Sequence, residues 1–229
     1  MRRPGFRLSG WPFVGWCSLV LLLLFALVLA TNGTAEAGIR AVVRRSAQTS
    51  VLLFSSAFMA SSLRQLYPHA VSRWMLANRR YLGVSFAVSH LIHLFALLAL
   101  ARVSAEFVRN VNAVTLVGGG IGYLFIAAMA ATSFDRTAAW LGPRAWSRLH
   151  TIGAYYIWFI FLQSYVPRAI VSVAYVPLAA LLLIAIGLRM AARLQTRRAR
   201  RRLEGFSTTE SDGMPHAHES QTNQPRQRG

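Results

Sequence analysis

His90 and His93 stand three residues apart in "SHLIHLFALLAL", residues 89–100, a run that is otherwise almost wholly apolar. At 100° per residue they lie about 60° apart the short way round a helix, on one face and one turn apart. Two imidazoles so placed can share one metal, or one can coordinate while the other hydrogen-bonds. They can equally both donate to a carbonyl or hydroxyl of a neighbouring helix. His150 opens another apolar stretch, rich in aromatic residues. Side chains that ionise or coordinate are costly inside a bilayer, so these three histidines are functional candidates. His69 follows Pro68 in a polar segment and reads as solvated, and His216 and His218 in "PHAHES" form only a weak metal-binding pattern.

Rival chemistries find little support. Glu106 and Asp135 fall at the ends of apolar runs, which argues against a membrane-embedded carboxylate relay. The glycines of "GGGIG", 118–122, lie within an apolar helix and not between a strand and a helix, so they are no phosphate loop. Close helix packing explains them, and it would also let a flat ligand approach the backbone. Cys17 is the single cysteine, which excludes an internal disulfide or a cysteine metal cluster.

The elements that must position these residues follow from composition. The 229 residues are 55% hydrophobic with a mean hydropathy of +0.41, yet carry a formal charge of +18. Every basic residue is arginine, and the arginines sit at the ends of apolar runs or in the tail, not on one soluble face, which excludes a nucleic-acid reading. Six stretches approach the roughly 20 residues that a bilayer core of about 30 Å requires: 11–30, 48–66, 82–101, 112–132, 149–166 and 169–191. The second is the least apolar, with Ser55, Ser56, Ser61 and Ser62. The first is longer than a signal-peptide core and reads as a retained helix.

An all-α integral membrane protein with six transmembrane helices is therefore expected. With the N-terminus inside, nineteen arginines fall on inside segments and six outside, namely Arg40, Arg44, Arg45, Arg102, Arg109 and Arg168. The positive-inside rule then places both termini in the cytoplasm of a plasma-membrane protein. Residues 1–10 form a cytoplasmic N-terminus, 11–193 the transmembrane domain, and 194–229 a tail. "RLQTRRARRR" is a basic run suited to anionic lipid, and 204–229 is polar enough to read as disordered.

"NRRYLGVSFAVSHLIHL", 78–94, and "SFDRTAAWLGPRAWSRLHTIGAYYIWFIFLQSY", 133–165, resemble the ferric reductase-like transmembrane family, and within it the bacterial branch of MsrQ-type haem-binding membrane subunits. The matching features are Arg79, Arg80, Leu82 and Gly83 before His93, then Asp135–Arg136, Leu141–Gly142, Trp146 and "RLH" ending at His150. "SSLRQLYP", 61–68, is similar to the end of the preceding family helix, and the resemblance spans about 47–168.

The resemblance implies a helical bundle that holds b-type haem between two helices and passes electrons across the bacterial inner membrane to an external acceptor or a periplasmic reductase. It makes His93 an axial ligand on one helix and His150 the first of a pair on another. The second of that pair falls at Gln163. At about 1.5 Å per residue, His93 lies roughly 20 Å from the cytoplasmic arginines and Gln163 roughly 22 Å, whereas His150 is only about 3 Å up. His93 and Gln163 are thus level.

Three readings follow for the haem: His93 holding it with Gln163 or water opposite, His90 recruiting a different partner, or a haem-free scaffold of the same fold acting as an interaction subunit. No soluble flavin or nicotinamide domain is visible, so electrons would come from a separate donor protein, a quinol, or FMN held by Arg64, Arg73, Arg79 and Arg80.

Overall fold

A computed structural model describes residues 9–212, with side-chain environments for 9–201, and among these residues the protein is helical with no strand. The helices are α1 (Trp11–Asn32), α2 (Glu36–Leu66), α3 (Ala70–Ala77), α4 (Arg79–Val103), α5 (Ala105–Asn110), α6 (Ala113–Ala131), α7 (Asp135–Leu141), α8 (Pro143–Val171) and α9 (Val176–Asp212). Four segments are long and apolar enough to cross a membrane: Trp11–Asn32, Arg79–Val103, Ala113–Ala131 and Val173–Arg201. The other two expected spans, 48–66 and 149–166, lie within α2 and α8, which are long but more polar.

The polarity of α2 follows from its position. It packs along α4 and α9, and also touches α1 and α3. Ser46, Ser50, Ser55 and Ser62 are buried along it, and Ser85 and Ser89 are buried on α4. Small hydroxylated residues let two backbones approach closely and bond across the interface. Ser89 Oγ meets Thr49 Oγ1 at 2.9 Å and Ser50 Oγ at 3.0 Å. Hydropathy places the start of this element near residue 48, but the helix begins twelve residues earlier. Arg40 is held within the first turns by Glu36 at 2.6 Å, and Ser104, then Arg40, keeps the Glu36 carboxyl below the usual carboxylate range.

α4 touches α6, α6 lies on α8, and α8 lies on α9, which returns to α2. These five helices form a ring. At its centre the rings of Phe54, Phe86 and Phe161 meet, with centroids 5.4 to 6.1 Å apart. α1 packs outside the ring, where Leu21 and Phe25 meet Val42 and Ala96. Its remaining face exposes Leu19, Val20, Leu22, Leu23 and Leu27, and α6 exposes Val114, Leu116, Val117 and Leu124. Apolar belts of this kind suit lipid and not water.

The break expected after Val166 occurs later. Pro167 lies inside α8 and removes one backbone donor, but the helix continues to Val171, and Arg168 donates to the Ser164 carbonyl. The turn follows at Ser172, with a short 3₁₀ segment before α9. At the other end, α9 runs through Asp212, past Glu204 where loss of order is expected. Residues 213–229 of that expected tail lie outside the described residues.

One contact fixes the spacing of α6 and α8. A Cβ on Gly153 would fall 2.5 Å from Met129 Sδ and 3.1 Å from Phe125 Cδ1. Gly153→Ala is expected to destabilise the protein by about 1–3 kcal/mol, because Phe125, whose ring lies against Tyr156 at 5.2 Å, can give less than the flexible methionine. Thermal unfolding in detergent checks it, and Met129→Ala in the same chain should restore part of the loss.

Candidate functional site

The ring encloses two cavities on either side of the phenylalanine cluster. The larger of the two, of about 570 Å³ and called the outer cavity after the expected topology, is bordered by α2, α4, α6 and α8, with His90 and His93 on its wall. The inner one, of about 370 Å³, contains His150. Ile126 lines both.

His93 is oriented by α2. Its Nδ1 lies 3.1 Å from the Val43 carbonyl oxygen and 3.0 Å from Ser46 Oγ. Ser46 itself donates to the same carbonyl at 3.1 Å. A carbonyl can only accept, so the imidazole proton belongs on Nδ1 and the lone pair remains on Nε2. A tautomer fixed in this way by a backbone carbonyl is the usual support of a metal-binding histidine.

His90 lies beside it, ring centroids 5.1 Å apart, as the shared face predicts. It lies tilted against Tyr123 at 4.9 Å and meets Phe161 edge-on at 5.7 Å. His90 Nδ1 and Tyr123 Oη are both buried without a hydrogen-bond partner. Orphaned buried polar atoms are uncommon, and two on adjacent rings at one cavity mark a place where a ligand's polar group is wanted. Tyr123 escapes a histidine-centred reading of the sequence. The available signal was a phenol set directly after the glycine run, on the same face as Gly119.

Gly119 and Gly122 border the cavity from α6, and a Cβ on Gly119 would meet nothing within 4 Å. At the outer mouth stand Arg40, Arg44 and Arg168, residues that the sequence offers only as topological charges. Arg40 is engaged by Glu36 and Ser104, whereas Arg44 has no acidic partner among the described residues.

Gln163 is in neither cavity. The inward stripe of α8 is Ile157, Ile160, Phe161, Ser164, Tyr165 and Arg168, and Gln163 is exposed on the outer surface. Height along the helix put it level with His93, but azimuth turns it away, 100° from Ser164 and 200° from Phe161. The sequence expectation that Gln163 stands opposite His93 is therefore corrected.

His150 is held differently. Its Nε2 is 3.2 Å from Thr132 Oγ1, whose own proton goes to the Ala128 carbonyl at 2.7 Å. Nε2 is thus the donor, and Nδ1 carries the lone pair. Trp146 stacks on the ring at 4.2 Å and donates to the Thr132 carbonyl at 2.9 Å. Arg79 and Arg80 border this cavity, with Arg80 paired to Asp135 at 2.6 Å. Arg64 and Arg73, the other two arginines of the FMN expectation, do not line it.

His69 caps α3 in a reciprocal arrangement with Ser72, and His216 and His218 lie outside the described residues. Among the described residues no three His, Cys, Asp or Glu side chains converge as a bare-ion site. The outer cavity offers a single oriented imidazole, open space beside Gly119 and cationic groups on its lining. No family model matches the chain, and neither does any curated protein or solved structure.

Proposed function

We propose that the protein is a six-span, ferric reductase-like cytochrome of the bacterial inner membrane, with both termini cytoplasmic, that conducts electrons outward through b-type haem in the outer cavity. The observation that carries this reading is His93, whose Nδ1 proton is committed to the Val43 carbonyl while Nε2 is left unprotonated on the cavity wall. The cavity volume lies within the range of small-molecule sites, and its walls are mainly apolar. Haem bound there supplies a one-electron iron couple.

The chain's own residues do the rest. His93 would hold the iron from α4, and Arg44 and Arg168, on the same lining, would bind carboxylates. Gly119 leaves room for a flat ring against α6. Phe54, Phe86 and Phe161 close the inner side against water. His90 Nδ1 and Tyr123 Oη, both on the cavity and both without a hydrogen-bond partner, would supply polar groups to the bound ring. The donor to such a haem would be a separate cytoplasmic protein, and the acceptor a periplasmic reductase or another external molecule.

The test is a reduced-minus-oxidised absorption spectrum of the purified full chain. A b-type signal is expected. Its absence after haem is supplied during expression would favour the alternative, a haem-free interaction subunit with His90 and His93 as packing groups. Gln163→Leu is expected to leave the signal within about twofold of wild type, because that side chain faces away from the cavity. A large loss in that variant would place Gln163 back in the ligand set.

A further inference from the structure

A third space, of about 430 Å³, opens between the end of α2 and the basic half of α9. It shares no lining residue with either histidine cavity. Its base is firmly built. Gln65 Nε2 donates to the Ala192 carbonyl at 2.9 Å and to Thr196 Oγ1 at 3.0 Å, fastening α9 to α2. Arg189 donates to the Phe58 carbonyl at 3.2 Å and lies over the Phe58 ring at 4.1 Å. Arg193 rests against Tyr155 at 5.2 Å.

Arg197 and Arg200 extend the same wall, and Ser61 and Ser62 border it from α2. Positions 189, 193, 197 and 200 recur at helical spacing, so the guanidinium groups share one face. Among the described residues, carboxylates pair with Arg40 and Arg80 and with no arginine of this groove. The concentration of positive charge is therefore uncompensated by any described acid.

Depth and surroundings identify what would compensate it. The groove lies at the polar end of the apolar segment Val173–Arg201. Met190 and Leu194, on the adjoining surface of α9, are exposed. An apolar surface directly beside a cluster of guanidinium and hydroxyl groups matches acyl chains beside a phosphate ester. Guanidinium forks suit phosphate, and basic pockets between membrane helices on the cytoplasmic side recognise anionic headgroups.

We infer that the groove between α2 and α9 binds the phosphate of an anionic membrane phospholipid. Free phosphate offers the same anion chemistry but no partner for the exposed Met190 and Leu194.

The experiment compares the full chain with Arg197→Gln/Arg200→Gln and with Arg198→Gln/Arg201→Gln. The second pair removes equal charge from the same basic run at positions outside the groove. Each protein is placed in phosphatidylcholine micelles, with or without phosphatidylglycerol. Thermal unfolding and native mass spectrometry then follow stability and retained lipid.

Phosphatidylglycerol is expected to raise the unfolding temperature of the parent and of Arg198→Gln/Arg201→Gln. Lipid retention should fall at least threefold in Arg197→Gln/Arg200→Gln alone. Equal loss in both variants would overturn the groove in favour of diffuse attraction to the surface. Equal stabilisation by inorganic phosphate in phosphatidylcholine micelles would overturn the lipid as the source of the anion.

Discussion

His93→Ala is expected to reduce the b-type absorption of the purified protein at least tenfold, while His150→Ala leaves most of it. The two histidines differ in which nitrogen is free and in what surrounds it. His93 has Nδ1 committed to Val43 and Ser46 of α2, and borders the larger cavity. His150 has Nε2 committed to Thr132 and is stacked under Trp146 in the smaller one. A ligand's supporting partners typically contribute about 10–100-fold in metal affinity.

Ser46→Ala removes one of two partners of Nδ1 and leaves the Val43 carbonyl, so haem retention is expected to fall by about tenfold or less. Exogenous imidazole should restore signal to His93→Ala, an effect that a purely structural loss would not show. Survival of the full signal in His93→Ala would remove His93 from the iron, and its loss in His150→Ala alone would move the haem to the inner cavity.

Much of this arrangement is legible in the residues themselves. The three-residue spacing of His90 and His93 puts both on one face, and the structure sets their rings at one cavity. The apolar belts of α1, α4, α6 and α9 follow from hydropathy, because these helices present long faces away from the bundle. α2 is harder to read. Thr49 and Ser50 bond Ser89 of α4 and Ser46 bonds His93, so a helix at the centre looks too polar for its place.

Gln163 shows the complementary limit. Counting rise along α8 gives its height correctly, but which way it points depends on how α8 is rotated against α6 and α9. That rotation is set by Gly153 against Met129, by Tyr156 donating to the Gly118 carbonyl at 2.9 Å and by Trp158 donating to the Leu182 carbonyl at 3.0 Å. No single-helix pattern contains these contacts. Arg44 and Arg168 were likewise visible as outside charges, but only the ring of helices brings them to one cavity mouth.

Gly38→Ala is expected to be the most damaging added methyl group among the described glycines. Gly38 lies in the first turn of α2, where the chain has just reversed from α1 through Gly33. A Cβ there would fall 1.7 Å from the Gly33 carbonyl oxygen, 2.7 Å from its carbon and 3.1 Å from the Asn32 oxygen. All three are backbone atoms, so no rotamer change relieves the overlap. The turn itself must move.

Gly33 is held at φ 78°, a conformation available to glycine at little cost, so the reversal has few alternative shapes that keep α1 against α2. Overpacking typically costs about 1–3 kcal/mol, and an unrelievable backbone overlap belongs at or above the top of that range. For a chain of this size the unfolding temperature should fall by at least about 6 °C. Gly15→Ala is the control, since its added methyl meets nothing within 4 Å and sits in a helix interior where alanine is preferred.

The consequence reaches the cavity. Residues 38–46 carry Arg40, Val43, Arg44 and Ser46 on consecutive turns, so displacing the start of α2 shifts the carbonyl and hydroxyl that hold Nδ1 of His93. Gly38→Ala should therefore weaken haem retention together with stability, whereas Gly153→Ala, acting between α6 and α8, should lower stability with a smaller effect on retention. Equal haem retention in Gly38→Ala and wild type would show that the start of α2 does not set the His93 tautomer.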